Sequence, residues 1–94
     1  MPTVVHGDFE WDDDKARSNL AKHGVAFEEA ATALTDPRSV DFEDLLEPDR
    51  LITLASSPRG RILYVVTTER SERLRIISAR DATARERRRY EEAD

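Results

Sequence analysis

The spacing of apolar residues changes from helical to strand-like near Ser39. Between residues 12 and 34 the apolar residues recur at helical spacing, and Gly24 lies between two such stretches as a natural helix stop. From Val40 to Ala79, apolar and polar residues alternate in short segments, as they do in half-buried strands. Helical segments followed by a run of strands predict an α+β domain, because parallel α/β folds alternate the two kinds of element.

Local capping and turn signals divide the chain into eight predicted elements. These are a strand over 9–11, a helix ending near His23, a helix over 27–34, strands over 40–43, 51–57, 62–68 and 74–79, and a helix after Thr83. Short reversals at 57–60 and 70–72 predict an antiparallel meander. The fold class is therefore α+β: an antiparallel β-sheet meander with two N-terminal helices and one C-terminal helix, all on one face. Residues 1–7 are expected to be a flexible lead-in, and residues 8–94 a single domain.

Basic residues are distributed unevenly along the chain. Residues 1–57 hold five Lys or Arg against thirteen Asp or Glu, whereas residues 58–94 hold ten basic residues, all of them arginines, against seven acids. The planar arginine fork suits phosphate or carboxylate groups. A net charge of −5 argues against a protein that coats nucleic acid with its whole surface, but it allows a local basic patch. An acidic body could also steer a basic protein partner.

The composition also limits compartment and cofactors. The chain has no cysteine, so disulfides and thiolate metal sites are excluded, and a cytoplasmic location is expected. It has neither an apolar run near the ~20 residues of a membrane span nor a signal peptide, which predicts no membrane association. Its two histidines and scattered acids lack metal-ligand spacing, and no phosphate loop is present. We therefore expect no cofactor.

Simple alternation along 73–80 places Arg73 and Arg75 on one face of a strand and Arg80 on the other, together with Ile76. Arg70 and Arg80 lie at the ends of two strands, where a rigid scaffold can hold polar groups toward a ligand. The alternative is that each arginine is a solvated surface charge opposite an acid.

Two further segments carry charged groups with more than one interpretation. His23 at a helix end either interacts with the helix dipole or serves as a general acid or base. The segment RERRRYEE, residues 85–92, has the spacing of a solvated helix face. Tyr90 in that segment either packs on the body or stacks on a base.

Two separated motifs resemble the BrnT toxins of bacterial type II toxin–antitoxin pairs. They are W-D-x-x-K-x-x-x-N-x-x-K-H-G over residues 11–24 and R-I-I-S-A-R-x-A-T-x-x-E-R over residues 75–87, and the similarity extends over about residues 8–92. The resemblance implies a RelE-like fold and a ribonuclease activity that blocks translation. It also implies a hetero-oligomer with a cognate antitoxin whose DNA-binding part represses the operon, so that DNA is contacted only through the antitoxin. The acid-rich loop over 43–49 departs from the family pattern.

The resemblance and the strand-end positions together give the candidate site. In metal-independent RNA cleavage the 2′-hydroxyl attacks the adjacent phosphate, and arginines stabilise the charge that grows on the phosphate oxygens. We hypothesise that Arg80 and Arg70 clamp this phosphate and that His23 or Glu69 transfers protons. The predicted catalytic residues are Arg80, Arg70, His23 and Glu69, and the predicted RNA-binding residues are Arg75, Arg73, Lys22 and Arg87. The alternative function is a non-catalytic interaction module that binds a DNA-binding partner and acts in transcriptional autoregulation.

Overall fold

The computed structural model describes residues 2–70 and 72–93 and forms one six-stranded sheet with three helices. In chain order the elements are β1 (Thr3–His6), β2 (Phe9–Asp12), α1 (Asp13–His23), α2 (Phe27–Ala33), β3 (Val40–Glu43), β4 (Arg50–Ser56), β5 (Ile62–Arg70), β6 (Arg73–Asp81) and α3 (Ala84–Glu92). The strand order is β1-β2-β6-β5-β4-β3. The predicted α+β class is confirmed.

Strands β3 to β6 pair in sequence order, each antiparallel to the next, as the predicted meander requires. The reversal predicted at 70–72 includes Ser71, which lies outside the described residues. The sheet is nevertheless mixed rather than purely antiparallel, because β2 pairs in parallel with β6 through Phe9 opposite Leu74 and Glu10 opposite Arg75. Short-range signals could not reveal this pairing, since it joins segments more than sixty residues apart.

The segment expected to be a lead-in contains a strand. Residues Thr3–His6 form β1, which pairs antiparallel with β2 and places Val4 opposite Trp11. Gly7 and Asp8 make the two-residue turn between the paired residues His6 and Phe9, and Gly7 has a φ of 63°. A turn of this kind needs a positive φ, which glycine adopts without steric cost.

The predicted helix boundaries are confirmed where capping residues define them. The Asp12 carboxylate accepts a hydrogen bond from the Lys15 backbone N–H (3.0 Å) at the start of α1. Gly24 ends α1 with a φ of 69°, and its N–H donates to the carbonyl of Leu20. Thr83 begins α3 with a capping box, in which the Thr83 side chain accepts from the backbone of Glu86 and the Glu86 side chain accepts from the backbone of Thr83.

The core lies between one face of the sheet and the helices α1 and α2. Leu63 and Val65 of β5 point into it and pack in one cluster with Trp11 and Phe27. The rings of Trp11 and Phe27 meet edge to face at 5.9 Å. We call the side of the sheet that carries Leu63 the inner face and the opposite side the outer face.

Helix α3 packs on the outer face, so the expectation that all three helices share one face is wrong. It contacts Tyr64 and Phe42, whose side chains point away from the core cluster. None of its residues is buried. An amphipathic helix with a clear apolar stripe would compete for the inner face, but α3 is mostly charged and is held through polar side chains instead.

The edge of β6 is completed by a side chain. After Arg75, no strand within residues 2–70 and 72–93 pairs with β6 on the side that β2 occupies earlier. There the Asn19 amide of α1 donates to the carbonyl of Ala79 (2.8 Å) and accepts from the N–H of Ala79 (3.1 Å), and it also donates to the carbonyl of Val25 (2.9 Å). Asn19 therefore substitutes for a neighbouring strand and fixes α1 against the sheet.

Candidate active site

A β-bulge in β6 decides which arginines share a face. Val66 lies opposite Ser78, but the next residue, Thr67, lies opposite Ile76, so Ile77 is an extra residue in β6. The bulge reverses the alternation, because directly opposed residues share a face. Arg75 and Arg80 both lie on the outer face, and the prediction that they lie on opposite faces is wrong.

Arg80 lies at the centre of a set of contacts on the outer face. Its Nη1 and Nη2 donate to the two carboxylate oxygens of Glu86 at 2.8 and 3.1 Å, and Nη1 also donates to the Asp81 carbonyl at 3.1 Å. The guanidinium carbon lies 3.8 Å from the centre of the Tyr64 ring, a cation–π contact. These neighbours fix the orientation of the Arg80 side chain, which stays half-buried.

The electrostatics of this pair keep both partners charged at neutral pH. The hydrogen bonds to Glu86 raise the pKa of Arg80 above its ordinary value, although burial opposes this. Burial alone would raise the pKa of Glu86, but hydrogen bonds from Arg80 and from the Thr83 backbone outweigh it, and the pKa is lowered. Glu86 is therefore a carboxylate at neutral pH, with a proton affinity too low for an efficient general acid.

Arg80 keeps two donors for a ligand. A guanidinium has five N–H bonds, and the Nε–H and one Nη2–H point from the same edge. Glu86 and Asp81 use the other N–H bonds of Arg80, and within residues 2–70 and 72–93 no hydrogen bond of good geometry forms from that remaining edge, although the Tyr64 side chain is near enough to help raise the pKa of Arg80. Arg61 is the opposite case, because it donates through the same Nε–Nη2 edge to Glu29 at 2.8 and 2.7 Å. Arg61 is thus structural, whereas Arg80 has an edge shaped for two phosphate oxygens.

A cleft of about 750 Å³ lies between α3 and the outer face of the sheet, and Arg80 reaches it only through its neighbours Tyr64 and Glu86, which line the cleft. It is lined by Phe42, Tyr64, Arg85, Glu86, Arg88, Arg89, Glu92 and Ala93. Arg89 lies over the Phe42 ring, with 4.0 Å from its guanidinium carbon to the ring centre. Arginines and aromatic rings are the groups that bind single-stranded nucleic acid. Three arginines of the segment interpreted as a solvated helix face therefore line the cleft wall.

Hydrogen bonds hold the two ends of α3 in place. Tyr90 donates to the carboxylate of Asp36, which also accepts from the Ser56 backbone, so the packing alternative for Tyr90 is confirmed. At the other end, Nη1 of Arg87 donates to the Ala82 carbonyl at 3.1 Å. Arg87 does not line the cleft, and its predicted contact with RNA has no direct support in its position.

Arg70 and Glu69 do not meet Arg80. Arg70 is six residues from Tyr64 along β5, which is about 20 Å of strand, and Glu69 is about 17 Å away. Tyr64 lies directly opposite Arg80, so Arg70 and Arg80 cannot hold the same phosphate group. Arg73 lies opposite Arg70 at this far end. The structure therefore excludes the proposed two-arginine clamp.

Arg75 joins two strands. Its Nη1 lies 2.5 Å from the carboxylate of Glu10, and both side chains are largely buried, with 17% and 16% of their surfaces exposed. The pair lies at the point where β2 meets β6. Arg75 therefore has a structural partner that the sequence alone did not identify.

Lys22 and His23 lie at the end of α1, beside the edge of β6. The two residues line a small depression between α1 and β6, together with Lys15, Ser18, Asn19, Ile77 and Ser78. Ser78 is two residues from Arg80, about 7 Å along the strand. Because α1 packs toward the inner face and Arg80 lies on the outer face, Lys22 and His23 could meet a substrate bound at Arg80 only around the edge of β6.

The structure adds Tyr64 and Glu86 to the candidate site. Tyr64 has no distinguishing signal within the apolar run ILYVVTT. Glu86 lies six residues after the strand-end Arg80, at the capping-box position of α3, and this placement is a detectable signal for an ion pair. Within 2–70 and 72–93, no cluster of His, Asp or Glu has the arrangement of a metal site. The same residues contain no helix long and apolar enough to cross a membrane.

The fold and the cleft define a small α+β domain with an arginine-rich site suited to a phosphate-bearing chain. The family described as "Ribonuclease toxin, BrnT, of type II toxin-antitoxin system" matches residues 11–86. The chain belongs to this family, and the resemblance found in the two motifs is confirmed. Family membership supports a ribonuclease with RNA as its target and an antitoxin as its partner.

A solved structure agrees with this assignment. The chain is similar to the Brucella abortus ribonuclease toxin BrnT, whose crystal structure it matches with a TM-score of 0.64 and 28% identity over 78% of this chain and 92% of the other. No curated protein matches the chain in sequence at a significant level.

Proposed function

We propose that the chain is a metal-independent endoribonuclease that cleaves RNA by attack of a 2′-hydroxyl on the adjacent phosphate. The observation that carries this proposal is the Nε–Nη2 edge of Arg80, which is left over when Glu86 and Asp81 take the other N–H bonds, next to two residues that line the cleft, Tyr64 and Glu86. Two parallel N–H donors match two non-bridging phosphate oxygens, on which negative charge grows in the transition state. Because Glu86 and Tyr64 already orient the guanidinium, little reorganisation is needed during the reaction.

The cleft supplies RNA binding. Arg85 and Arg88 of α3 are exposed at the cleft and are free to contact phosphates on either side of the scissile bond. Arg70 and Arg73 at the far end of β5 and β6 provide a second contact with the RNA backbone, several nucleotides away. Arg75 stabilises the junction of β2 and β6 through its ion pair with Glu10 and does not bind RNA.

His23 is the proposed proton-transfer group. It is half-buried at the C-terminal end of α1 and lines a depression together with Ser78, which lies two residues before Arg80 in β6. A histidine titrates near neutral pH, as a general acid or base requires. Lys22 in the same depression places a further positive charge near the substrate. Glu69 is left out of the proposed mechanism because of its distance from Arg80.

In the cell we propose that this cleavage blocks translation in the cytoplasm until a cognate antitoxin binds the chain. The antitoxin is proposed to carry a DNA-binding domain, so that the hetero-oligomer represses its own operon. The alternative of a non-catalytic module predicts harmless expression of this chain alone. Growth arrest on expression, relieved by the product of an adjacent reading frame, supports the toxin and contradicts the module.

The chemistry is tested with a labelled RNA and the purified chain. We expect cleavage to persist in excess EDTA and to leave 2′,3′-cyclic phosphate ends. A single 2′-deoxynucleotide on the 5′ side of the scissile phosphate removes the nucleophile, so it should abolish cleavage at that site only. Cleavage that requires added divalent cations, or that continues at the deoxy position, contradicts the mechanism.

A further inference from the structure

The loop between β3 and β4, residues 44–49, holds two adjacent leucines in solvent. Leu45 is 94% exposed and Leu46 is 90% exposed. Asp44 closes the turn, because its carboxylate accepts from the backbone N–H groups of Leu46 (2.9 Å) and Glu47 (3.2 Å), and the Arg50 N–H donates to the Glu47 carbonyl (2.9 Å). Neighbouring apolar side chains that are both fully presented to water mark a contact surface more often than isolated ones do.

A depression of about 220 Å³ lies beside this loop. Three carboxylates line it, from Glu43, Asp49 and Glu69, against the single positive charge of Arg50. A hydrogen bond fixes the end of the loop to β5 at the depression, because the Thr68 hydroxyl donates to the carbonyl of Asp49 at 2.9 Å. Its charge repels RNA phosphates and attracts a cation.

Thr67 gives an independent indication that the depression binds a ligand. Thr67 is one of the residues that line the depression, it is 1% exposed, and its buried hydroxyl has no hydrogen-bond partner among residues 2–70 and 72–93. A buried hydroxyl without a partner is unfavourable and rare in native proteins. The hydroxyl oxygen lies beneath the surface, so an ammonium or guanidinium group in the depression would reach it after a small shift of the neighbouring side chains, and would then supply an N–H donor to this oxygen and a charge to the carboxylates.

We propose that Leu45, Leu46 and this depression form a docking site for a basic segment of the cognate antitoxin. An Arg or Lys side chain of the antitoxin occupies the depression, and an apolar residue next to it packs on the two leucines. The inference rests on the proposed neutralisation by an antitoxin. A second copy of this chain that docked through the same site would bring carboxylates against carboxylates, which disfavours a two-fold dimer here.

The docking site lies at the far end of β5 from the cleft. Thr67 is three residues from Tyr64, about 10 Å along the strand, and points to the inner face, whereas Tyr64 points to the outer face. An antitoxin segment bound here leaves Arg80 uncovered. Substitutions in the loop should therefore weaken antitoxin binding without changing RNA cleavage by the free chain.

The test measures the dissociation constant between the full chain and the antitoxin from the adjacent reading frame by titration calorimetry. The double variant Leu45→Ser/Leu46→Ser should bind roughly 100-fold more weakly, because two apolar contacts are lost. Thr67→Val should bind about tenfold more weakly, while the free chain is as stable as wild type or more stable. The matched control is Leu20→Ser, which alters a leucine on α1 that is 50% exposed and should stay within about twofold of wild type.

The inference is overturned if both variants bind the antitoxin as tightly as wild type does. It is also overturned if the free chain dimerises in sedimentation and the double variant abolishes the dimer without affecting the antitoxin, since a second copy is then the occupant. The outcomes separate this inference from the proposed function. A wild-type chain that binds no antitoxin contradicts the proposed function, whereas tight binding that the variants leave unchanged contradicts the docking site alone.

Discussion

Asn19→Ala should be among the most destabilising single substitutions in this chain. The residue is 7% exposed, and its amide makes three hydrogen bonds to backbone groups of β6 and of the segment after α1. Its removal leaves the Ala79 N–H and the carbonyls of Val25 and Ala79 without these partners. An unsatisfied buried backbone group costs about 1–3 kcal/mol. Water that enters the small depression beside Asn19 can hydrogen-bond some of these three backbone groups and so reduce the total cost.

We therefore expect Asn19→Ala to lower the free energy of unfolding by about 3 kcal/mol. This is a large fraction of the roughly 5–15 kcal/mol that stabilises a domain, and it corresponds to a fall in Tm of roughly 12–24 °C. Asn19→Asp should lower the free energy of unfolding at least as much as Asn19→Ala does. It keeps the acceptor for the Ala79 N–H but places a carboxylate oxygen against the carbonyls of Val25 and Ala79.

Urea unfolding followed by the fluorescence of the buried Trp11 measures the effect. Ser18→Ala is the matched control, since Ser18 is the exposed neighbour of Asn19 on α1, and it should change the free energy by less than about 0.5 kcal/mol. An Asn19→Ala protein within about 0.5 kcal/mol of wild type would refute the conclusion that this side chain completes the edge of β6.

Three further predictions concern stability. The hydrogen bonds from Arg61 lower the pKa of Glu29. Their contribution to the free energy of unfolding is therefore complete above the ordinary pKa of 4.5 and is lost as pH falls below it. Urea titrations should show that Glu29→Gln loses less stability at acidic pH than wild type does. The hydrogen bond to Asp36 raises the pKa of Tyr90 above 10.0. Its contribution to the free energy of unfolding is therefore complete below pH 10.0 and is lost as pH rises through the raised pKa. Tyr90→Phe should cost about 1 kcal/mol at neutral pH and should remove this loss of stability at alkaline pH. Gly24→Ala should cost about 1 kcal/mol in the same assay, because the φ of 69° is strained for alanine.

Local chemistry explains why much of the fold was predictable. Asp12, Gly24 and Thr83 act within one helical turn, so their capping signals are complete in the sequence and the helix boundaries follow from them. The meander was predictable for a similar reason, since consecutive strands with short links pair with one another. The hairpin turn at Gly7 carried a usable signal that the interpretation as a lead-in left aside.

The site was less predictable because its geometry depends on pairing between distant segments. The extra residue at Ile77 reverses the alternation of β6, and nothing in the segment RIISAR marks a bulge. Strand-end positions do not tell which ends are neighbours, so Arg70 and Arg80 were grouped although they lie about 20 Å apart along the strands. The contact between Arg80 and Tyr64 follows from strand register, which composition and motifs do not encode.

The central claim is that the open edge of Arg80 holds the scissile phosphate, and Arg80→Lys tests it most directly. Lysine keeps the positive charge but lacks the two parallel donors. Arg59→Lys, which alters an arginine in the turn before β5 whose side chain is 72% exposed, is the matched control. Glu86→Gln, which keeps an acceptor for the Thr83 N–H, reports whether detachment of α3 alone impairs cleavage.

The measurement is the single-turnover rate of RNA cleavage by each purified variant, with folding verified by circular dichroism. We predict that Arg80→Lys is slower by about 10²–10³-fold, as expected for the loss of an oriented donor to the transition state. Arg59→Lys should match wild type, and Glu86→Gln should be much less impaired than Arg80→Lys. A folded Arg80→Lys protein that cleaves RNA at the wild-type rate would contradict the account.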